Sequence, residues 1–323
     1  MENKKIMNFV GKFKIFISIS LAIILVGIVM NIVFGVNLDL NYSGGTKITY
    51  SHTGDIDNSE AKSVIEAKSE YKVDVTDSQN YTSGTSSIVV SIVGNKALTT
   101  EEIETITKAL SDKYKDNKIE LLEQQSVDPT VGASFFAKSM YSLVLACALV
   151  GIYVGFRFRK IGGVKAALTA IFALVHDMVI AYFAFVILRF PLDANFVAVM
   201  LTILGYSLND TIVIYDRVRE NNLIFEGKKP IRDVVNISIT QSFRRTLITS
   251  ITTFIAIGCV SVVAAIAGLS SILSFSIPMS IGVVAGSYSS ICLAGPLYVF
   301  WNEHAEKKAK KNPKKPAYVN RMK

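Results

Sequence analysis

Leu201–Arg219, LTILGYSLNDTIVIYDRVR, decides how the rest of the chain is read. Its apolar residues read as a membrane-spanning helix, yet Asp210 stands inside the run. An ionised carboxylate at the bilayer centre costs roughly 2.5 to 3.5 kcal/mol on insertion scales, so it needs a partner, a proton or a hydrated cavity. Asp210 is therefore the first candidate functional residue. Thr202, Gly205, Ser207 and Asn209 surround it with small or polar side chains of the kind that let a second helix approach and hydrogen-bond across the contact. Asp216, Arg217, Arg219 and Glu220 close the stretch as a charged collar, so Asp216 is expected at the membrane surface and Asp210 within the span.

Outward from this helix, half of the 323 residues are hydrophobic, and several apolar runs exceed the roughly 18 residues expected of a spanning helix. The runs are 15–36, 135–156, 164–188, 194–214, 247–267 and 269–300, which predicts a polytopic α-helical membrane protein with six transmembrane helices. The last run is long enough to tilt, or to kink at Pro278 or Pro296. The net charge of +8 is concentrated beside the spans and in the tail, which fits the positive-inside pattern and argues against nucleic acid as a partner. Cys147, Cys259 and Cys292 all fall within spans, without the spacing of a disulfide framework or a zinc site.

Lys4, Lys5, Lys12 and Lys14 precede the first run, which is too long for a signal-peptide core and has no small-x-small cleavage site before Asn37; an uncleaved anchor is expected. Basic residues cluster after the second span, around the loop after the fourth and in the tail from Lys307. The loops at 189–193 and 268–271 hold little charge. Both termini are therefore expected in the cytoplasm, with Trp301 at an interfacial aromatic belt.

Residues 37–134 differ in composition: acids outnumber bases by seven and the apolar runs are short. Alternating periods predict strands near 46–51, 71–76, 87–93 and 118–125, with helices near 58–69 and 99–114. Thr99 or Thr100 with Glu102 reads as an N-cap with first-turn acids. The order is the βαββαβ, ferredoxin-like arrangement, an α+β domain placed between helices 1 and 2 on the extracytoplasmic side. The expected division is 1–36 (N-terminus and helix 1), 37–134 (outer domain), 135–301 (helices 2–6) and 302–323 (basic cytoplasmic tail).

Several further residues carry chemistry with more than one reading. His176 and Asp177, adjacent in the third span, read either as a proton relay or as Asp177 hydrogen-bonding a neighbouring helix to fix packing. Arg244 and Arg245 open the fifth span; consecutive helical residues point about 100° apart, so only one can face the bundle fully. An arginine there either snorkels to the interface or neutralises a carboxylate until that carboxylate takes a proton. Thr246, Thr249, Ser250, Thr252 and Thr253 either line a hydrated path or, by default, bond the preceding turn or a neighbouring helix. Gly44 and Gly45 form a tight structural turn, since no GK[ST] follows to make a phosphate cradle. The Lys-rich tail suits anionic membrane lipid or RNA by its charge but reads foremost as a solvated, orientation-setting segment. There is no nucleotide-binding loop, catalytic triad or metal cluster, so the chain reads as a non-enzyme driven by something other than its own ATP hydrolysis.

Gly44-Gly45-Thr46, VDPTVGAS at 127–134, ALVHD at 173–177, ILGYSLNDTIVIYDRVREN at 203–221 and RRTLITS at 244–250 together resemble the SecD/SecF family of protein-export subunits over nearly the whole chain. One departure is that Asn41 and Tyr42 stand where the family has Asp-Phe before the double glycine. The resemblance implies a bacterial cytoplasmic-membrane subunit that pairs with SecD into a pseudo-symmetric assembly of the resistance-nodulation-division type. It implies as partners the SecYEG translocon with SecA and unfolded secretory chains. No cofactor is implied, the energy source being a proton or sodium gradient. It further implies ion coupling at Asp210 and Arg245, with Asn209, Asp177 and His176 beside them. Two other readings remain beside it, a small-molecule exporter of the same superfamily and a passive translocon scaffold.

Overall fold

The computed structural model describes residues 6–68, 73–80, 85–93 and 98–311. Among these described residues, six helical spans are long and apolar enough to cross a membrane. The first, α1 (Phe13–Phe34), leads through the short α2 (Leu40–Ser43) into a four-stranded sheet with two helices: β1 (Gly45–His52), α3 (Asn58–Glu66), β2 (Asp74–Asn80), β3 (Thr85–Val93), α4 (Thr100–Lys113) and β4 (Glu120–Val127). The remaining spans are α5 (Pro129–Arg157), α6 (Gly163–Ile187), α7 (Ala194–Ile224), α8 (Ile231–Ile266) and α9 (Ser270–Ser289), which continues through a π-helical stretch, Ser290–Ala294, into α10 (Gly295–Lys311).

The sheet is antiparallel throughout, in the order β2-β3-β1-β4. Alternation in β1 turns Ile48 and Tyr50 inward, where they meet Ile88, Val90 and Ile92 of β3. Ile103, Ile106 and Leu110 recur at helical spacing on α4 and cover that face. Each such side chain contributes about 1.5–3 kcal/mol when fully buried. The Tyr50 hydroxyl, deep under α4, pairs with Thr107 Oγ1 at 2.9 Å. The predicted strands and helices all occur within a few residues; residue 69 of the first predicted helix and residues 71 and 72 of the second predicted strand lie outside the described residues. Thr99 is the N-cap of α4 in a full capping box with Glu102. Asp39, Asp57, Asp128 and Asp193 cap α2, α3, α5 and α7 in the same way, each carboxylate accepting a backbone N–H of the first turn.

Two contacts hold the segment that leads from α1 into the sheet against the helices. Leu192 N donates to Asn37 O at 2.8 Å and Asp39 N to Leu192 O at 3.1 Å, a parallel bridge between the ends of α1 and α6. The turn at Gly44 and Gly45 takes φ values of +75° and +128° and packs against Pro129 at the start of α5. That helix begins six residues before the apolar run at 135, because Asp128 and Pro129 form a strong start signal that hydropathy does not register.

Among the helices, α6, α7 and α9 carry most of the buried residues, whereas α1, α5 and α8 expose apolar side chains outward. Helix α8 begins well before the apolar run at 247: it starts at Ile231 with Pro230 as N-cap, so Arg244 and Arg245 lie inside the helix and not at its start. The extra turns are amphipathic, with Val234, Val235 and Ile239 packed against Val218, Tyr298 and Val299, so they escape a search for continuous apolar runs. Asn236 of this segment accepts from Phe9 N and Val10 N at 3.0 Å each and so secures the entry to α1. The last span breaks its regular pattern at the π-helical stretch before Pro296, whose missing N–H removes one i→i−4 bond there; Pro278 lies inside α9.

Candidate functional site

Helix α7 carries the site. It follows α9 closely because Gly282 and Gly286, spaced four apart, leave room for Ile203 and Ser207: a Cβ at Gly286 would lie 2.9 Å from Ser207 Cβ. Below this crossing, Thr211 Oγ1 pairs with Ser290 Oγ at 2.8 Å, and Ser290 Oγ donates to Ser207 O at 3.2 Å. Asp210 sits between these two fixed points, 3% exposed.

Asp210 looks toward α8, with the Ser250 hydroxyl beside it and the Arg245 guanidinium within electrostatic reach. Its Oδ2 has no hydrogen-bond partner among the described residues, and neither does the buried Thr246 Oγ1 on the adjoining turn of α8. Ser250 is itself held in place: it donates to Thr246 O at 2.8 Å and accepts from Tyr206 Oη at 3.3 Å and from Ser287 Oγ. Arg245 is exposed and forms no ion pair with Asp210 among the described residues. It lines an open cavity of about 480 Å³ between α7 and α8, together with Asn209, Asp216, Arg217, Glu220 and Gln241. A buried carboxylate with a vacant oxygen, next to a cation on the rim of a charged vestibule, can exchange one positive partner for another.

His176 and Asp177 form a second cluster on α6. His176 Nδ1 and Asp177 Oδ1 are 3.0 Å apart, and His176 Nε2 lies 3.1 Å from Ser20 Oγ of α1. Ser207 Oγ and Ser289 Oγ both donate to Asp177 Oδ2, at 2.6 and 2.7 Å. Asp177 is fully buried and His176 is 4% exposed. The structure thus places Asn209 and Arg245 on the cavity between α7 and α8, with Asp210 buried beside Ser250, and sets His176 with Asp177 on α6, where α7 and α9 reach them through Ser207 and Ser289. Gly44 and Gly45 are remote from both, in the turn beneath the sheet. Asp216 is half-buried and bridges Arg157 and Arg219 at 2.9 and 3.0 Å. Thr249, Ser250 and Thr252 donate to carbonyls one turn back on α8, the default reading for span hydroxyls. No group of three His, Cys, Asp or Glu stands together to hold a metal ion among the described residues.

Ser20, Ser287 and Ser289 were not legible as partners in the sequence. The Gly282-x-x-x-Gly286 spacing is the signal that could have placed α9 against α7 and so pointed to them.

Taken together, these features define a multi-pass helical membrane protein with an acidic site buried between its central spans. The profile described as "Protein export membrane protein SecD/SecF, C-terminal" matches residues 106–304. The protein translocase subunit SecF of Alicyclobacillus acidocaldarius is 33% identical over 93% of this chain and 94% of its own length. SecDF of Bacillus subtilis is 31% identical over 93% of this chain. The crystal structure of SecDF from Thermus thermophilus superposes with a TM-score of 0.76 at 24% identity over 94% of this chain. A crystal structure of SecDF in a super-membrane-facing form gives 0.66 at 25% identity over 98% of it. The chain spans about two-fifths of each SecDF polypeptide: 39% of the Bacillus protein and 40% and 41% of the two crystallised chains. The chain belongs to the SecD/SecF family of bacterial protein-export membrane proteins.

Proposed function

We propose that this chain is the SecF half of a SecD–SecF assembly that uses a proton or sodium gradient to promote export of unfolded chains through the SecYEG translocon, with SecA as the ATP-driven motor. The observation that carries the reading is Asp210, buried in mid-helix with an oxygen unpartnered beside Arg245 and Ser250. Asp210 alternates between two states in this mechanism. Deprotonated, it attracts the Arg245 guanidinium; with a cation bound, it releases Arg245, and α7 and α8 shift relative to each other. Asn209 shares the vestibule through which the cation leaves or enters.

Both termini lie in the cytoplasm in this reading, because the basic ends of α5, α7 and α8 share one side, where Arg157 pairs with Asp216 and Arg232 with Glu303. The sheet-and-helix unit from β1 to β4 is then an extracytoplasmic, ferredoxin-like domain whose strand order is that of the split βαβ arrangement. It grips the emerging chain, and the bridge at Asn37, Asp39 and Leu192 transmits motion of the spans to it. SecD as partner draws support from relatives in which a matching region forms two-fifths of one SecDF polypeptide. A small-molecule exporter is not favoured, since the similar proteins are named as translocase subunits.

Translocation into membrane vesicles after ATP is exhausted and an ion gradient imposed tests the proposal. Gradient-driven completion in wild type that disappears in Asp210→Asn at equal complex abundance supports it. Equal completion in both leaves the chain a passive scaffold.

A further inference from the structure

The two buried aspartates are built oppositely. Asp210 has a vacant oxygen, and its neighbour Asn209 and the facing Arg245 line a cavity. Asp177 has its oxygens engaged: Oδ1 faces His176 Nδ1 at 3.0 Å, and Oδ2 receives Ser207 Oγ at 2.6 Å and Ser289 Oγ at 2.7 Å, with no exposure at all. Each serine has one proton to give. Ser289 Oγ also lies 3.1 Å from Gly286 O, and the shorter contact to the carboxylate is the charge-assisted one.

These bonds fix three helices to one another at the level of the site. Ser207 is on α7, one turn before Asp210; Ser289 is on α9. Two residues earlier on α9, and so on nearly the opposite side of that helix, Ser287 donates to Ser250 Oγ, the hydroxyl beside Asp210. Helix α9 therefore stands between the two carboxylates, with Ser289 toward Asp177 and Ser287 toward Asp210. A slip of one residue in α7 turns it by about 100° and carries Asp210 away from Ser250 and Arg245. The cluster's titratable neighbours are His176 on its own helix, Tyr288 on α9 and Cys292 in the π-helical stretch beyond it; α1 contributes the Ser20 hydroxyl.

We propose that Asp177, oriented by His176, is a positioning residue: it locks α7 and α9 through Ser207 and Ser289 so that Asp210 faces Ser250 and Arg245, and it does not itself carry the transported ion. The inference rests on the coupling role of Asp210 given above. A carrier must open to an ion and change partners, whereas Asp177 is sealed and its oxygens are already engaged.

Asn at this position separates the two roles. Its amide oxygen still accepts from both serines. Its amide N–H donates to His176 Nδ1, which then carries its proton on Nε2 and donates to Ser20 Oγ. The whole network survives while the titratable group is gone. In the assembled complex in vesicles, Asp177→Asn is expected to keep gradient-driven translocation within about twofold of wild type, whereas Asp177→Ala loses on the order of tenfold or more. The infrared carboxyl band that vanishes in Asp210→Asn reports the Asp210 titration directly. Its midpoint is expected to move by about one pH unit or more in Asp177→Ala and to stay in place in Asp177→Asn. Where Asp177→Ala fails to accumulate, Ser289→Ala, which removes one donor and keeps both carboxylates, is expected to move the midpoint in its place. If Asp177→Asn abolishes gradient-driven translocation as Asp210→Asn does, Asp177 carries the ion and the positioning role is wrong. The role is also wrong if neither Asp177→Ala nor Ser289→Ala moves the Asp210 band. Failure of Asp210→Asn to change translocation overturns the coupling site instead and leaves a distinct signature.

Discussion

Ser207 donates to Asp177 at 2.6 Å from the same helix that, one turn on, buries Asp210. Its hydroxyl shares Asp177 Oδ2 with Ser289. Removing either serine leaves the oxygen one donor, at an expected cost of about 1.5–3 kcal/mol for a hydrogen bond to a charged group. Removing both leaves a buried carboxylate oxygen with none. The double variant Ser207→Ala/Ser289→Ala is therefore expected to lose more stability than the sum of the singles. A double-mutant cycle on thermal midpoints of the solubilised protein measures this, and strict additivity would contradict the shared-acceptor geometry.

Gly44 and Gly35 offer a controlled comparison of strain with crowding. Both adopt positive φ, +75° and +68°, with ψ near 180°, a region nearly confined to glycine in which another residue costs about 1–3 kcal/mol. A Cβ on Gly35 meets nothing within 4 Å, whereas one on Gly44 would lie 2.4 Å from Pro129 Cα. Gly35→Ala is expected to show the conformational cost alone. Gly44→Ala adds a clash with the Pro129 backbone at the start of α5, and its thermal midpoint should fall well below that of Gly35→Ala.

Thr99 accepts from Glu102 N at 3.4 Å while Glu102 Oε2 accepts from Thr99 N at 2.7 Å. Thr99→Ala removes the N-cap of α4 and is expected to destabilise the sheet domain by about 1 kcal/mol. Hydrogen exchange of the amides in α4 reads the effect locally. Thr99→Ser, which keeps the hydroxyl, should restore protection.

Asp193 caps α7 through Phe196 N at 3.2 Å, yet burial raises its carboxyl above the ordinary aspartate range, with Asp39 nearby adding to the shift. A raised folded-state value means the folded form favours the proton. Stability from this group is present below the unfolded value and is lost as pH rises through the folded one. Asp193→Asn is as good a cap and carries no charge. The variant should equal or exceed wild type in thermal midpoint at pH 7, and its advantage should shrink as pH falls through the carboxylate range. A variant that loses stability at pH 7 and regains it in acid would reverse the assigned sign.

Much of this was legible in the sequence for identifiable reasons. Asp210 stands out because a charge in an apolar run is costly wherever the helix packs, and Thr99 because capping is a local rule. Gly44 and Gly45 were readable as a turn for the same reason. The partners of Asp177 were not: serines in spans usually bond their own preceding turn, and only the packing of α9 on α7 directs Ser289 to a carboxylate. The helical turns ahead of Arg244 and Arg245 were not legible, because the amphipathic stretch from Ile231 buries Val234, Val235 and Ile239 against neighbouring segments without forming a continuous apolar run. Asn209 and Arg245 were linked to Asp210 through family likeness, and their common cavity became visible once α7 and α8 were placed side by side.

Ion uptake by proteoliposomes holding the assembled complex and translocon tests the central claim most directly. An internal dye reports the cation while an extended secretory chain is engaged and a gradient is imposed. Wild type is expected to take up the cation, and Asp210→Asn to take up none above protein-free liposomes, with proton and sodium gradients run separately to identify the ion. Equal uptake by wild type and Asp210→Asn would contradict the assignment of Asp210 as the residue through which the gradient does its work.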